Sequence, residues 1–320
     1  MLVDMPIEKL LVYEGKNPKP SDFDKYWDDS LAEMEAVDPK VELIPSPLNI
    51  PGAEVFDMYF TGVNGARIHC HYARPKGKKN CPAWLQFHGY SGNIGDYFGK
   101  LSAVCAGFCV AAMDCRGQGG LSEDVARVVG NTHHGHIIRG VDDADPKKLL
   151  FRDIFLDTAQ LAKIVASFDE VDKTRMCANG GSQGGGLTYA CAALAPHLIK
   201  MAAPVYPFLS DYKRVWEMDL AKDAYVEMKE YFRHSDPTHA RHEEFFTRLG
   251  YIDIQHLAPR IKGKILMATG MMDTVCPPST QFAAYNKVTS EKSYVLYPDF
   301  GHEQLPGNSD RTYMFFSELL

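Results

Sequence analysis

Hydrophobic and polar positions change their rhythm twice along this chain. Near the start, Phe23, Trp27, Leu31 and Met34 recur at three- and four-residue spacing. That predicts an amphipathic helix opening at Ser21, a capping residue, with Asp24 at the capping-box distance. Strict alternation follows. Phe56, Met58 and Phe60 are separated by Asn64-Gly65 from Ile68, Cys70 and Tyr72, the pattern of a β-hairpin with one buried face. From Ala83 the apolar positions form short continuous runs at Ala83–Phe87, Phe108–Met113, Arg175–Ala178, Met201–Val205, Ile265–Ala268 and Tyr294–Leu296. Helical patterns lie between them. The clearest joins Phe151, Ile154, Leu161, Val165 and Phe168, with Asp153, Asp157 and Lys163 expected to point away from that face. Continuous apolar strands alternating with helices predict an α/β fold, a mostly parallel sheet covered on both faces.

Residues 211–259 break the rhythm. They are rich in aromatic and charged side chains (Tyr212, Trp216, Tyr225, Tyr231, Phe232, Phe245 and Phe246) and read as a helical insertion. Residues 1–50 read as an N-terminal extension, and 1–320 as one domain, within the span that a single large core can fill. Composition changes the picture mainly by exclusion. Apolar residues are 45% and charged residues 23%, which excludes disorder as the main state. A formal net charge of −7 makes the chain a poor candidate for wrapping nucleic acid. No run of apolar residues is long enough to span a membrane, and the opening MLVDMPIEKL lacks the apolar core of a signal peptide, so a cytoplasmic location is expected. Eight cysteines without a CxxC pair read as buried thiols rather than a disulfide framework.

The chemistry centres on Gly180-Gly181-Ser182-Gln183-Gly184-Gly185-Gly186, between a predicted strand and a predicted helix. This is G-x-S-x-G in the strand–turn–helix setting of a nucleophile elbow. A phosphate loop would need a closing Gly-Lys-Ser/Thr, which is absent. Ser182 therefore reads as a nucleophile exposed at the carboxyl edge of the sheet, where ligands bind in open α/β folds. A serine hydroxyl needs a base. His302, in a loop after the last strand, is the expected base. Asp273, in the loop after Ile265–Ala268, is the expected acid that orients it, with Asp253 and Asp299 as competitors.

An oxyanion hole needs two backbone N–H groups. Gln183, after the nucleophile, supplies one. The loop His88-Gly89-Tyr90-Ser91-Gly92 supplies the other, from Tyr90. His88 reads as a satisfied structural histidine. His133, His134 and His136 cluster in one loop, but no H-E-x-x-H or cysteine partner accompanies them, so no metal is expected.

With these residues placed, the sequence resembles the cephalosporin-C deacetylase and acetyl xylan esterase family, family seven of the carbohydrate esterases within the α/β-hydrolase superfamily. The resemblance rests on Arg116-Gly117-Gln118, Gly180-Gly181-Ser182-Gln183-Gly184 and His302-Glu303. His88-Gly89-Tyr90, Tyr206–Asp211, and Asp273 with Pro277-Pro278-Ser279-Thr280 support it. It implies an α/β-hydrolase fold and acetyl-ester hydrolysis without a cofactor. It implies a triad of Ser182, Asp273 and His302 and an oxyanion hole of Tyr90 and Gln183. It further implies that Arg116 and Gln118 brace the loops around the site and that Phe208 walls an acetyl pocket. The chain departs from the pattern at Leu149-Leu150-Phe151-Arg152, where many members carry tyrosines, and at Gln160, where an arginine is expected.

The expected substrates are small acetylated sugars, with cephalosporin C accepted for its acetyl ester. The expected assembly is a homohexamer, with the aromatics of the insertion and of the N-terminal segment (Tyr26, Trp27) covered by partners. A prolyl-oligopeptidase-like peptidase shares the elbow, but the first parallel strand comes too early for a gating propeller to precede it. A general short-chain carboxylesterase and a non-catalytic binding module are the other readings. The binding module is disfavoured because every triad candidate is present.

Overall fold

The computed structural model describes residues 3–130 and 136–320. Among the described residues nine strands form one sheet: β1 (Glu42–Pro45), β2 (Ala53–Thr61), β3 (Arg67–Pro75), β4 (Cys81–Phe87), β5 (Cys109–Met113), β6 (Val171–Gly181), β7 (Ile199–Val205), β8 (Lys264–Gly270) and β9 (Lys292–Tyr297). Their order is β1-β2-β3-β5-β4-β6-β7-β8-β9. From β5 to β9 neighbouring strands are parallel, and β1, β2 and β3 add an antiparallel edge. This is the α/β-hydrolase architecture.

The hairpin pairs in the register that its alternation demands. Phe56 faces Tyr72, Met58 faces Cys70 and Phe60 faces Ile68. Asn64 takes φ 60° in the connecting turn, a left-handed conformation that asparagine tolerates. The hairpin continues the central sheet: β3 pairs with β5, and β1, within residues 1–50, pairs with β2.

The order of strand addition reverses at β4: β5 lies on one side of it and β6 on the other. The loops after β4 and β6 therefore meet at a topological switch point, where α/β folds bind ligands. Apolar side chains fill both faces. Leu85, Ala111, Met113 and Ala178 meet the helices on one, while Trp84, Val110, Cys177 and Met201 meet Phe108 and Phe316 on the other.

Three local expectations change. The first long helix is Phe23–Glu35, and neither Ser21 nor its N-cap Asp22 caps it with a side chain. Asp24 instead pairs with Lys19 and Arg260. On the crossover helix Leu150–Ala166, Asp153 and Asp157 are buried rather than solvent-facing. They are there because Arg116 is buried beside them: its Nε and Nη2 donate to Asp157 at 2.6 and 2.8 Å. A buried guanidinium needs this carboxylate partner. Burial raises the Asp157 carboxyl above its ordinary value while Arg116 pulls it down.

The third concerns the segment 211–259. It is helical, with Tyr212–Glu217, Val226–His234, His242–Gly250 and Ile254–Leu257. Yet Tyr231, Phe232, Phe245 and Phe246 are buried within the chain itself, as are Tyr26 and Trp27. They pack ring on ring, Tyr231 stacking on Phe245 at 4.4 Å and Trp216 meeting Phe232 at 4.7 Å. These aromatics are core, so they supply no motive for assembly. All eight cysteines are free, and only Cys105 is exposed. Among the described residues, no helix is long and apolar enough to cross a membrane.

Candidate active site

The elbow explains its own glycines. Ser182 sits at φ 58° and ψ −120°, a strained conformation for a residue with a Cβ. Its N–H donates to Val205 O at 3.0 Å, and its carbonyl accepts from Gly186 N and Phe208 N. A Cβ on Gly180 would meet Phe87 O and Gly184 O at 2.6 Å, and one on Gly184 would meet Phe87 O at 2.2 Å. Only glycine lets β6, β4 and the helix Gln183–Leu194 converge this closely.

That turn aims Ser182 at His302. The Ser182 Oγ lies 2.9 Å from His302 Nε2, and His302 Nδ1 lies 2.8 Å from Asp273 Oδ2. Asp273 is fully buried. Its other oxygen accepts the main-chain N–H groups of Val275 and Cys276, both at 2.8 Å. The carboxylate is thus fixed by three donors from two loops. Neither competing acid, Asp253 or Asp299, is hydrogen-bonded to His302. Asp253 accepts from Asp211 N and caps the helix Ile254–Leu257. Glu303 accepts Gly301 N at 3.0 Å and closes its own loop. Tyr206 packs its ring 4.6 Å from that of His302.

Gln183 and Gln118 form a reciprocal amide pair, Nε2 to Oε1 at 2.7 and 3.1 Å. Gln118 Oε1 also accepts Ser91 N at 2.9 Å. The Arg116–Gln118 turn therefore joins the elbow to the loop after β4, while Arg116 itself ties that turn to the crossover helix. Among the described residues, the main-chain N–H groups of Tyr90 and Gln183 have no hydrogen-bond acceptor. His88 is satisfied at both nitrogens: Nε2 accepts Cys115 N at 3.0 Å, and Nδ1 lies 2.7 Å from Gly89 O. Burial lowers its pKa, in keeping with a neutral ring.

One residue escaped the sequence reading. Glu227, on the helix Val226–His234, is buried and accepts the Tyr90 hydroxyl and the main-chain N–H groups of Ile137 and Ile138. The Tyr90 hydroxyl accepts His136 N in turn. Burial raises the Glu227 carboxyl above its ordinary value, against the pull of these donors. Nothing in the local sequence marks this glutamate, because its partners lie far away along the chain. His133 and His134 lie outside the described residues, and the His136 ring packs edge-on to Tyr90.

Phe208 is fully buried, edge-on to Tyr90 at 5.2 Å and to Tyr225 at 4.5 Å. A cavity of about 990 Å³ lies between the segments 102–106 and 308–313 and is bordered by Trp84, Gln86, Asn179, Gly181, Tyr206 and Glu303; Ser182 and His302 do not line it.

Comparison with known proteins places the chain in a family. A family model described as acetyl xylan esterase (AXE1) matches residues 1–319. The fold superposes with a TM-score of 0.97 on the crystal structure of acetyl xylan esterase 1 from Thermoanaerobacterium sp. JW/SL YS485, at 57% identity and covering 99% of both chains. It superposes with a TM-score of 0.93 on an acetyl xylan esterase from Paenibacillus sp. R4, at 35% identity, covering 99% of this chain and 100% of that one. Acetyl esterase Axe7A of Xylanibacter ruminicola is 24% identical over 91% of this chain, which spans 64% of that protein's length.

Proposed function

The chain belongs to the acetyl xylan esterase family, and from that premise we propose that it hydrolyses acetyl esters of small acetylated sugars through an acyl-enzyme on Ser182. The observation that carries this reading is the unbroken series from Ser182 Oγ through His302 to Asp273, with both bonds under 3 Å.

The chemistry follows from that series. His302 Nε2 takes the Ser182 proton as Oγ attacks the acetyl carbonyl. Asp273 holds the imidazole and stabilises the imidazolium, without accepting the proton. The oxyanion is met by the N–H groups of Gln183 and Tyr90, which have no acceptor of their own among the described residues. Collapse expels the sugar alkoxide, protonated by His302. Water, activated by the same histidine, then releases acetate. No cofactor enters these steps.

The acetyl group belongs, on this reading, against Phe208 and Tyr90. Cephalosporin C would enter by the same acetyl ester. Assembly into a hexamer rests on the family resemblance alone; light scattering of the full chain tests it, and the mass of a single chain would contradict it. The substrate reading is tested by turnover on acetylated xylo-oligosaccharides beside a peptide amide. Acetate release with no amide cleavage is expected. Preferential amide cleavage would shift the reading to a peptidase.

A further inference from the structure

At the antiparallel edge of the sheet, away from Ser182, three side chains converge in an arrangement the esterase chemistry does not use. His69 and His71 are two residues apart on β3 and so share one face of the sheet. Asp57 stands directly opposite His71 on β2. Asp57 Oδ1 lies 3.0 Å from His69 Nε2 and 3.7 Å from His71 Nε2, and all three ligand atoms fall within 4.8 Å of one another. From these positions we infer a binding site for a divalent transition-metal ion of the zinc class, held by Asp57, His69 and His71.

The geometry suits such an ion. A tetrahedral metal with bonds of about 2.0–2.1 Å places its ligand atoms roughly 3.3 Å apart. The separations from Asp57 bracket that value. Two imidazoles and one carboxylate are a donor set that selects zinc, cobalt or nickel over magnesium or calcium. The second shell is also present. His69 Nδ1 lies 2.7 Å from Asp114 Oδ2, which fixes the ring with Nε2 toward Asp57. A metal-binding histidine is ordinarily oriented by such a carboxylate. Asp114 is itself held by Ile94 N and Leu121 N. His71 is fixed by its stack on Tyr97, with ring centroids 3.7 Å apart and nearly parallel planes. The His69 side chain is 3% exposed, that of His71 12% and that of Asp57 34%, so the way in, and the fourth position, open past Asp57.

Without metal, both His69 nitrogens face carboxylates, and an ion at Nε2 takes the place of the hydrogen bond to Asp57. The neighbouring cation, Lys100, is drawn off toward the carbonyl oxygens of Ile94 and Asp96. The role is structural. The ion would clamp β2 to β3 and, through Asp114, stiffen the Ile94 and Leu121 backbone beside the loop that carries Tyr90.

The test is titration of chelator-stripped full-length protein with Co(II) and then Zn(II) at neutral pH, read by calorimetry and by visible absorption. One ion per chain is expected, with intense tetrahedral Co(II) bands that Zn(II) abolishes. Asp57→Asn and His71→Ala should each weaken binding by about 10–100-fold. Both should leave the esterase turnover of metal-free protein unchanged. Asp273, Cys276 and His302 also lie close enough together to hold an ion. Binding that inhibits the esterase and is unaffected by both variants would assign the ion there and overturn the inference. Absence of any binding at sub-millimolar metal would overturn it too.

Discussion

Glu227 accepts the hydroxyl of Tyr90, so the helical insertion holds the loop whose Tyr90 N–H is the proposed oxyanion donor. The tie is buried and charge-assisted, and the same carboxylate gathers Ile137 and Ile138. An oxyanion donor works only if it is held in place before the reaction. Glu227→Gln and Tyr90→Phe each keep the Tyr90 N–H but slacken its anchor. Each should lower kcat by roughly tenfold with little change in KM, a loss confined to the transition state. The double variant should be little worse than either single one, because both remove one interaction. Additive losses, or a rise in KM alone, would show that the pair does not act on the oxyanion.

The same carboxylate sets a pH dependence of stability. Burial raises the pKa of Glu227 in the folded protein above its unfolded value. Between those two values the folded state binds the extra proton, so the Glu227 contribution to stability grows as pH falls through that window and is lost as pH rises. Glu227→Gln removes the titration. Denaturation midpoints of wild type minus variant should therefore increase on acidification from neutral pH. A difference that stays flat or shrinks would mean that the folded carboxyl is not raised.

Acyl specificity should end at short chains. Phe208 is fully buried between Tyr90 and Tyr225, and its main chain is bonded to Ser182 O, leaving the wall little room to retreat. Each added methylene that overpacks such a wall costs roughly 1–3 kcal/mol. Acetate should exceed butyrate in kcat/KM by about tenfold or more on p-nitrophenyl esters. Comparable efficiency on octanoate would indicate a general carboxylesterase.

Asp273 takes three donors and is fully buried. Asp273→Asn keeps its volume but offers His302 an ambiguous partner, which permits the wrong tautomer. A loss on the order of 10⁴ in kcat is expected. Near-normal turnover would move the acid role elsewhere.

Much of this was legible in the sequence, for a physical reason. The parallel strands showed as continuous apolar runs because both faces of all but β9, the half-buried edge strand, are covered, and the hairpin showed as alternation. The elbow was legible because its glycines answer a local demand, the approach of Phe87 O to Gly180 and Gly184. What failed depends on partners distant in sequence. Asp153 and Asp157 look like solvent-facing acids until the buried Arg116 is placed beside them. Trp216, Phe232 and Phe246 look like interface aromatics until they are seen packing on one another. Glu227 and the pair His69 and His71 carry no motif. Their significance comes from Tyr90 and Asp57, which only the fold brings to them.

The central claim is that acetyl transfer passes through Ser182. The most direct measurement is kcat for Ser182→Ala on an acetylated xylo-oligosaccharide, with the variant's fold verified by its denaturation midpoint. Loss of the nucleophile should reduce kcat by on the order of 10⁶, leaving the residue set by binding and the oxyanion donors. A variant that retains more than a few per cent of the wild-type rate would contradict the account and place the nucleophile elsewhere.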